Sequence, residues 1–464
     1  MVHQYKNNGY NIVLDVCSGS VHVVDDMVYD IVSLYENNDK EQIIKALPDY
    51  DSAEVSEAYD EVHQLVEDGT LFTDDVYKDY IIDFKKRKTV VKALCLHIAH
   101  DCNLACRYCF AGEGEYKGDR ALMSLEVAKK SLDFLVENSG LRRNLEVDFF
   151  GGEPLMNWDV VKQTVEYGRE LEKKYDKKFR FTLTTNGVLL NEEIMEFANK
   201  EMANVVLSID GRKEIHDYMR PTRNGKGSYD VILSKFQEFA KRRAGKSYYV
   251  RGTYTHNNLD FSQDVLHMAD MGFDQISVEP VVSLPDEPYA IQKEDIPVLL
   301  EQYDILAKEM IKRHKEGRGF NFFHFMIDLE GGPCVAKRLS GCGSGTEYMA
   351  VTPWGDLYPC HQFVGEDDFC IGNVFEGIKN QDIVNEFKLC NVYAKDKCKD
   401  CFARFYCSGG CAANSYKFHG NILDAYDIGC ELQKKRIECA IMMKAAMSEE
   451  DEDSMDTDND SEEQ

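Results

Sequence analysis

Apolar and polar positions along the chain fall into three regimes, and the change of period between them sets the first boundaries. Residues 1–85 begin with two β-rich runs, 11–16 and 21–24, separated by the turn composition Cys17-Ser-Gly-Ser20. The period then becomes helical. Asp25-Asp26 is placed to cap a helix whose apolar side is Met27, Val28, Ile31, Val32 and Leu34. A second short helix covers 42–47 and stops at Pro48. A third, capped by Ser52, runs to about Val66 ahead of Gly69. A short strand is expected at 70–73, and the basic run Lys85-Lys-Arg-Lys88 reads as a linker.

From about residue 92 short apolar runs alternate with amphipathic ones. The strand candidates are 93–99, 145–150, 180–184, 204–209, 248–254 and 275–281, each β-branched or aromatic in bias. Helical stretches lie near 122–138, 157–177, 191–202, 228–243, 261–272 and 296–317, with Asn191 and Ser228 at N-cap positions. Six β-α units over 90–320 predict an α/β fold with a parallel sheet, a partial (β/α)6 barrel whose site belongs at the C-terminal strand ends. Residues 330–447 break this alternation and are rich in cysteine. Segment 448–464 carries ten acidic residues, no basic one and little to bury, so it is expected to be disordered.

Composition changes the picture in two ways. The net charge of −28, near −18 without the tail, argues against nucleic acid as the main partner. The first twenty residues lack a basic start and an apolar core, and no apolar run nears the roughly 20 residues that a membrane span needs. A cytoplasmic protein is therefore expected. In a reducing compartment its 16 cysteines point to metal or redox use and not to a disulfide framework.

The densest chemistry directly follows the first barrel strand: Cys102-Asn-Leu-Ala-Cys106-Arg-Tyr-Cys109. Three thiolates on a short loop can hold three corners of a [4Fe–4S] cluster and leave the fourth iron open. Zinc is the alternative, but structural zinc takes four ligands, usually in paired C-x2-C units. The other strand ends are small, polar or acidic: Gly151-Gly152-Glu153, where Glu153 is suited to an ammonium, then Thr184-Thr185-Asn186-Gly187 and Ser208-Ile-Asp210-Gly211. Arg251 on the fifth strand suits a carboxylate, and Glu279-Pro280 closes the sixth. Ordinary turn chemistry is the competing account of Asn186-Gly187 and Asp210-Gly211.

The C-x3-C-x2-C spacing resembles that of the radical S-adenosylmethionine (SAM) enzymes. The resemblance implies that SAM chelates the fourth iron and is split by a cluster electron into methionine and a 5′-deoxyadenosyl radical that abstracts a substrate hydrogen. It also implies SAM contacts from Gly151, Gly152, Glu153, Thr185, Asn186, Ser208, Asp210 and Arg251, with the amino group on the Gly-Gly-Glu motif. In the C-terminal third, Cys342 is followed by Gly355 and Cys360, then by Cys398-x2-Cys401-x5-Cys407-x3-Cys411 and Cys430. This order resembles the SPASM extension of those enzymes, and a zinc ribbon is the alternative for the C-x2-C alone. The resemblance implies two auxiliary clusters, making three [4Fe–4S] clusters in all. Cys398, Cys401, Cys407 and Cys430 would hold the distal one. Cys342, Cys360 and Cys411 would hold the nearer one, with Cys334 as a candidate fourth ligand.

The N-terminal unit resembles the winged-helix precursor-recognition domains of peptide-modifying enzymes, in which a leader peptide adds as a strand. The runs Cys109-Phe-Ala-Gly-Glu-Gly114, Tyr218-Met-Arg-Pro221 and Gly-Gly-Pro-Cys334 resemble the maturases of SCIFF peptides. Those enzymes join a cysteine sulfur to a carbon of another residue, often threonine. Implied partners are a cysteine-rich precursor with its leader and an electron donor such as flavodoxin or ferredoxin. Formylglycine formation and a non-catalytic iron–sulfur peptide-binding protein are the alternative functions.

Overall fold

The computed structural model describes the backbone of residues 1–83, 90–243, 245–329 and 335–462, with the side chains of 80–83, 335–336 and 449–462 left aside. The linker run Lys85–Lys88 and Cys334 lie outside the described residues.

The N-terminal unit is an antiparallel sheet in the order β1 (Val2–Asn7), β2 (Tyr10–Asp15), β3 (Val21–Val24), followed by α1 (Asp26–Tyr35), α2 (Lys40–Ala46) and α3 (Ser52–Glu67). The caps explain the helix starts: Asp25 accepts from the Val28 amide, Asp39 forms a capping box with Gln42, and Asp51, not Ser52, caps α3. Strand β1 was not expected from the sequence. The strand expected at 70–73 is absent; the Thr73 amide instead donates to buried Asp15 at 2.9 Å, and its hydroxyl bonds the same carboxylate. Strand β2 is buried on both sides. Val13 faces the unit's own helices with Ile31, Val32, Ile43 and Val55, whereas Ile12 and Leu14 pack with Leu339, Val392, Phe405, Ile437 and Ile441 of the C-terminal third.

The main sheet has twelve strands: β4 (Ala93–His100), with β5 (Ala121–Leu122) antiparallel beside it, then β6 (Asn144–Gly151), β7 (Lys178–Thr185), β8 (Met202–Ser208), β9 (Ser247–Tyr254), β10 (Gln275–Pro280) and β11 (Asn321–Phe322), with β12 to β15 on the other flank. All steps from β4 through β11 along the main order are parallel. The intervening helices are α4 (Leu125–Asn138), α5 (Trp158–Tyr175), α6 (Glu192–Glu201), α7 (Lys213–Met219), α8 (Tyr229–Arg242), α9 (Phe261–Asp270) and α10 (Ile296–Lys315). This is the expected α/β arrangement, with α7 additional. Along β6 and β7 burial alternates: Leu145, Val147 and Phe149 are buried, as are Phe179, Phe181 and Leu183, while Asp148 and Thr182 on the opposite face are half-buried. Asn191 caps α6. The Ser228 hydroxyl makes no cap; it donates to the Arg220 carbonyl at 2.6 Å and meets His216.

The C-terminal third is fused to this sheet. Strand β12 (Tyr348–Val351) lies parallel to β4, and β13 (Asp356–Tyr358), β14 (Gly372–Asn373) and β15 (Gly377–Ile378) continue it antiparallel. Helices α11 (Val335–Ser340), α12 (Gln381–Leu389), α13 (Arg404–Cys407), α14 (Ala412–His419) and α15 (Asp427–Glu462) complete the fold. The backbone of α15 continues into the acidic segment expected to be disordered, carried on from the packed stretch that includes Ile441, Met442 and Ala446. Among the described residues no helix is long and apolar enough to cross a membrane.

Candidate active site

The cysteine loop leaves β4 at its C-terminal end and is clamped from two sides. On one side it is laced to the Gly-Gly-Glu turn: the Gly152 amide donates to the Ala99 carbonyl at 2.7 Å and the Glu153 amide to Asp101 at 2.9 Å. A Cβ on Gly152 would sit 2.1 Å from the Asp101 carbonyl oxygen, and one on Gly151, whose φ is +116°, would sit 2.4 Å from that of Ala99. These glycines admit the neighbouring backbone. On the other side Arg107 donates its amide to Met219 and its Nε to Tyr218, and the Ala105 amide donates to Pro221.

Glu153 is wholly buried, and its carboxylate accepts from the Leu155 amide (3.0 Å), the Thr185 hydroxyl (2.8 Å) and the Asn186 amide (2.8 Å). Burial pushes its pKa up, against the pull of those donors. Glu153 therefore binds the second strand end to the third. Asn186 in turn donates to Asn103 at 2.7 Å and lies 3.6 Å from the Cys102 sulfur.

Asp210 is likewise turned inward. Its carboxylate accepts from the Tyr108 hydroxyl at 2.7 and 2.8 Å and from the Thr253 amide at 3.1 Å. Arg220 donates to the same hydroxyl at 2.8 Å and lies 3.8 Å from Asp210. Burial pushes the Asp210 carboxyl up to about 6, with Arg220 pulling it down. Thus Tyr108, inside the cysteine motif, is held by a buried carboxylate and a buried cation. Ser208 and Arg251, opposite each other in the β8–β9 register, keep partly open positions on the inner face. Arg251 lies 3.9 Å from Glu279, which also has His324 at 3.3 Å and Arg436 of α15 at 3.9 Å. Burial raises the Glu279 pKa, but His324, Arg436 and Arg251 outweigh it and leave a net lowering. Burial, then the charge of Arg436, pushes His324 down to about 3 against the pull of Glu279.

The sequence reading missed Arg220, Asn103, His324 and Arg436. Arg220 was visible within the Tyr218-Met-Arg-Pro221 run; Arg436 sits in an ordinary amphipathic helix that carried no signal.

The thiols are of the donor type that iron takes. Cys102, Cys106 and Cys109 come together, and burial, first among the causes, pushes Cys102 up to about 12 and Cys106 to about 11. Ligation would supply the missing stabilisation of thiolate. The Nε of Arg220 and the Nδ2 of Asn103 are buried donors without a partner, and the Arg220 charge acts on Cys106. They suit an anionic group beside the loop. Cys398, Cys401, Cys407 and Cys430 line one cavity of about 500 Å³. Cys360, buried and pushed up to about 12, feels Cys411 and Cys342, so the nearer set also converges. Cys342 opens into a cavity of about 420 Å³ whose wall includes Cys390, a cysteine outside every motif. Among the described residues no three His, Cys, Asp or Glu side chains close on a single-ion site. Thiols gathered in this way are the donor type that iron–sulfur ligation takes.

Comparison with known proteins agrees with this donor chemistry. Residues 96–260 match the Radical SAM superfamily, and residues 342–402 match SPASM, the iron–sulfur cluster-binding domain. The cysteine-type anaerobic sulfatase-maturating enzyme of Clostridium novyi is 25% identical over 68% of this chain and 86% of its own. The structure of anSMEcpe with bound AdoMet and Cp18Cys peptide superposes with a TM-score of 0.61 at 21% identity, covering 77% of this chain and 99% of that one. SuiB of Streptococcus suis bound to the precursor peptide SuiA gives 0.51 at 17% identity, covering 92% of this chain and 98% of that one. The chain carries a radical SAM domain joined through a shared sheet to a SPASM iron–sulfur cluster-binding domain.

Proposed function

We propose that the chain is a radical SAM peptide maturase that forms an intramolecular thioether in a cysteine-rich precursor, joining a cysteine sulfur to a carbon of another residue such as threonine. It is read as a cytoplasmic enzyme with three [4Fe–4S] clusters. Bound at the first loop, the cluster and SAM supply the one-electron chemistry that takes a hydrogen atom from the substrate. Closing a C–S bond from C–H and S–H also releases one proton and one electron, and clusters held by the auxiliary thiol sets would supply an acceptor for that electron.

The observation that carries the reading is the docking of the N-terminal unit against the distal thiol set. The edge of β3 away from β2 has no strand beside it among the described residues. Next to this sheet Tyr35 stacks with Phe72 and lies 5.2 Å from Tyr59 on α3. A peptide can add there as a strand with apolar anchors beside it. The names of the relatives, sulfatase-maturating enzymes and SuiB with its precursor, favour a peptide or protein substrate. The nearer set offers three thiols from the motif, which leaves an iron for the substrate cysteine, whose thiol would be deprotonated on binding.

The test is product mass from reconstituted protein, SAM, a reductant and the precursor. A crosslink removes two hydrogens and one free thiol while retaining sulfur. Formylglycine formation from cysteine releases the sulfur, and an absence of SAM cleavage would leave only a binding role. Three clusters require about twelve iron atoms per chain; iron near four, unchanged on replacing Cys398, would remove the auxiliary clusters from the proposal.

A further inference from the structure

We propose that the mouth of the Cys342 cavity is the docking site for a small acidic one-electron carrier protein, making the nearer auxiliary cluster the port through which electrons pass between carrier and enzyme. The inference rests on the cluster assignment above and goes beyond it in naming a surface and a partner chemistry.

The cavity opens at the N-terminal ends of the barrel strands, away from the loop that carries Cys102. Lys92 and Asn144 stand at the starts of β4 and β6, and Arg180 near the start of β7. Cys342 is exposed there. Around it stand Arg142, Arg180, Lys337 and Lys388, none with a carboxylate partner among the described residues. Lys92 is engaged with Glu347 at 2.6 Å, and Glu146 is the other carboxylate of the wall. The mouth is thus net positive in a chain whose net charge is −28. A second depression is lined by Arg143, Lys177, Lys178, Lys200 and Lys246, with Arg169 paired to Glu172 and Glu201 and Lys200 also 3.3 Å from Glu201, so its balance is basic as well. Cations at helix C-termini compensate the helix dipole, and that accounts for Lys200 in the last turn of α6. It does not account for Arg180, which lies within a strand, or for Arg142, four residues beyond α4.

The distal set provides the contrast. Its cavity is flanked by Lys293, Lys397, Lys434, Asp427 and Glu431, and most of these charges are paired: Lys397 with Asp427 at 2.6 Å and Lys434 with Glu431 at 2.9 Å, leaving Lys293. A largely paired rim offers an acidic protein far less net attraction. An unpaired basic rim around an exposed cluster ligand steers one towards the cluster, and such steering is set by charge and weakened by salt. The step is electron transfer alone: the carrier loses one electron, the cluster gains it, and no bond is made or broken. The same contact serves the reverse step when an electron leaves after bond formation.

The experiment uses reconstituted full-length protein and a purified flavodoxin as the acidic carrier. The variant Arg142→Glu/Arg180→Glu/Lys388→Glu is expected to weaken flavodoxin binding roughly tenfold or more at low salt and to flatten its salt dependence. Reduction of the clusters by flavodoxin should slow in proportion, while reduction by dithionite keeps the parent rate. A second variant, Lys397→Glu/Lys434→Glu, is expected to bind as the parent does. Parent-like binding and reduction in the rim variant would overturn the proposal, as would a loss confined to the distal variant. Duplex DNA bound by the parent and lost in the rim variant, with flavodoxin binding untouched, would assign the patch to nucleic acid and also overturn it. Iron content and visible absorbance are measured first: a parent lacking the nearer cluster overturns the port together with the cluster assignment it rests on, whereas parent-like flavodoxin binding in a rim variant that keeps its iron overturns the port alone.

Discussion

The first cysteine loop and the distal thiol set are two solutions to one problem, gathering cysteine side chains in one place. The first is braced by polar chemistry. Tyr108 is fixed by Asp210 and Arg220, and Asn186 by Glu153 and Asn103, which ties the cysteine loop to neighbouring strand ends and to the end of α7. The distal set is braced by apolar packing between the two ends of the chain. Ile12, Leu14 and Val16 share a core with Cys398, Ala403, Phe405 and Ile437. One polar pin is added, with Arg404 donating to Asp75 at 3.0 Å and to Cys17 at 3.5 Å. Local motifs thus specify the first site, and a contact some four hundred residues apart in sequence specifies the second. Each should fail alone.

The largest expected effect is at the polar brace. Asp210→Ala leaves Arg220 buried without its carboxylate, and breaking such a pair costs about 3–5 kcal/mol. Iron at the first loop and SAM cleavage should be lost, with auxiliary-cluster iron retained. Electron paramagnetic resonance of the reduced protein separates the two. Retained SAM cleavage would show that the brace is not what holds the loop.

The apolar brace comes next. Leu14→Ala opens a cavity in the shared core and should cost about 3 kcal/mol. Distal-cluster occupancy is expected to fall while SAM cleavage without peptide continues. Equal loss at both sites would merge the two regions into one cooperative unit and end the comparison. For the same reason, removing the whole N-terminal unit tests more than peptide recognition, because it strips one wall from the distal site.

Tyr108→Phe is a finer probe. It removes one hydroxyl shared by Asp210 and Arg220 and should cost about 1–2 kcal/mol through the partners left unsatisfied. The expected result is a lower midpoint for iron loss on heating and no change at the distal cluster.

How much of this was legible from the sequence follows from the same contrast. The six barrel strands, their helices and the cysteine loop at the first strand end could be read because period and motif are local. The polar residues at the other strand ends were legible by type. Glu153, Thr185 and Asp210 are suited to a ligand, and the fold adds what the sequence could not show, that their side chains also hydrogen-bond to one another's strand ends and to the cysteine loop. Strand β1 was missed because His3, Gln4 and Lys6 interrupt its apolar pattern. Its place is set by α15, to which Tyr5 donates at 2.9 Å on the Glu438 carbonyl. The joining of β12 to β4 was hidden as well: four residues, Tyr348–Val351, carry too short a pattern to announce a sheet edge.

The smallest effect concerns Asp148, on the inner face of β6 between the two regions. Burial, then the neighbouring charge of Glu146, pushes its carboxyl from 3.8 up to about 6, against a bond from Thr182. The folded state therefore holds this proton more tightly than the unfolded chain does. Between about pH 4 and 6 the folded protein carries the extra proton, so stability falls as pH rises through that window and is level above it. The shift alone corresponds to about 3 kcal/mol, but the side chain is only half-buried and solvent screens it, which brings the expected effect to about 1 kcal/mol. Asp148→Asn should remove the slope: urea unfolding of the iron-free protein at pH 5 and pH 7 should differ less in the variant than in the parent. A parent whose stability is flat or rises between those values would place Asp148 in contact with solvent, and the inner face of the barrel would then be wetter than its burial implies.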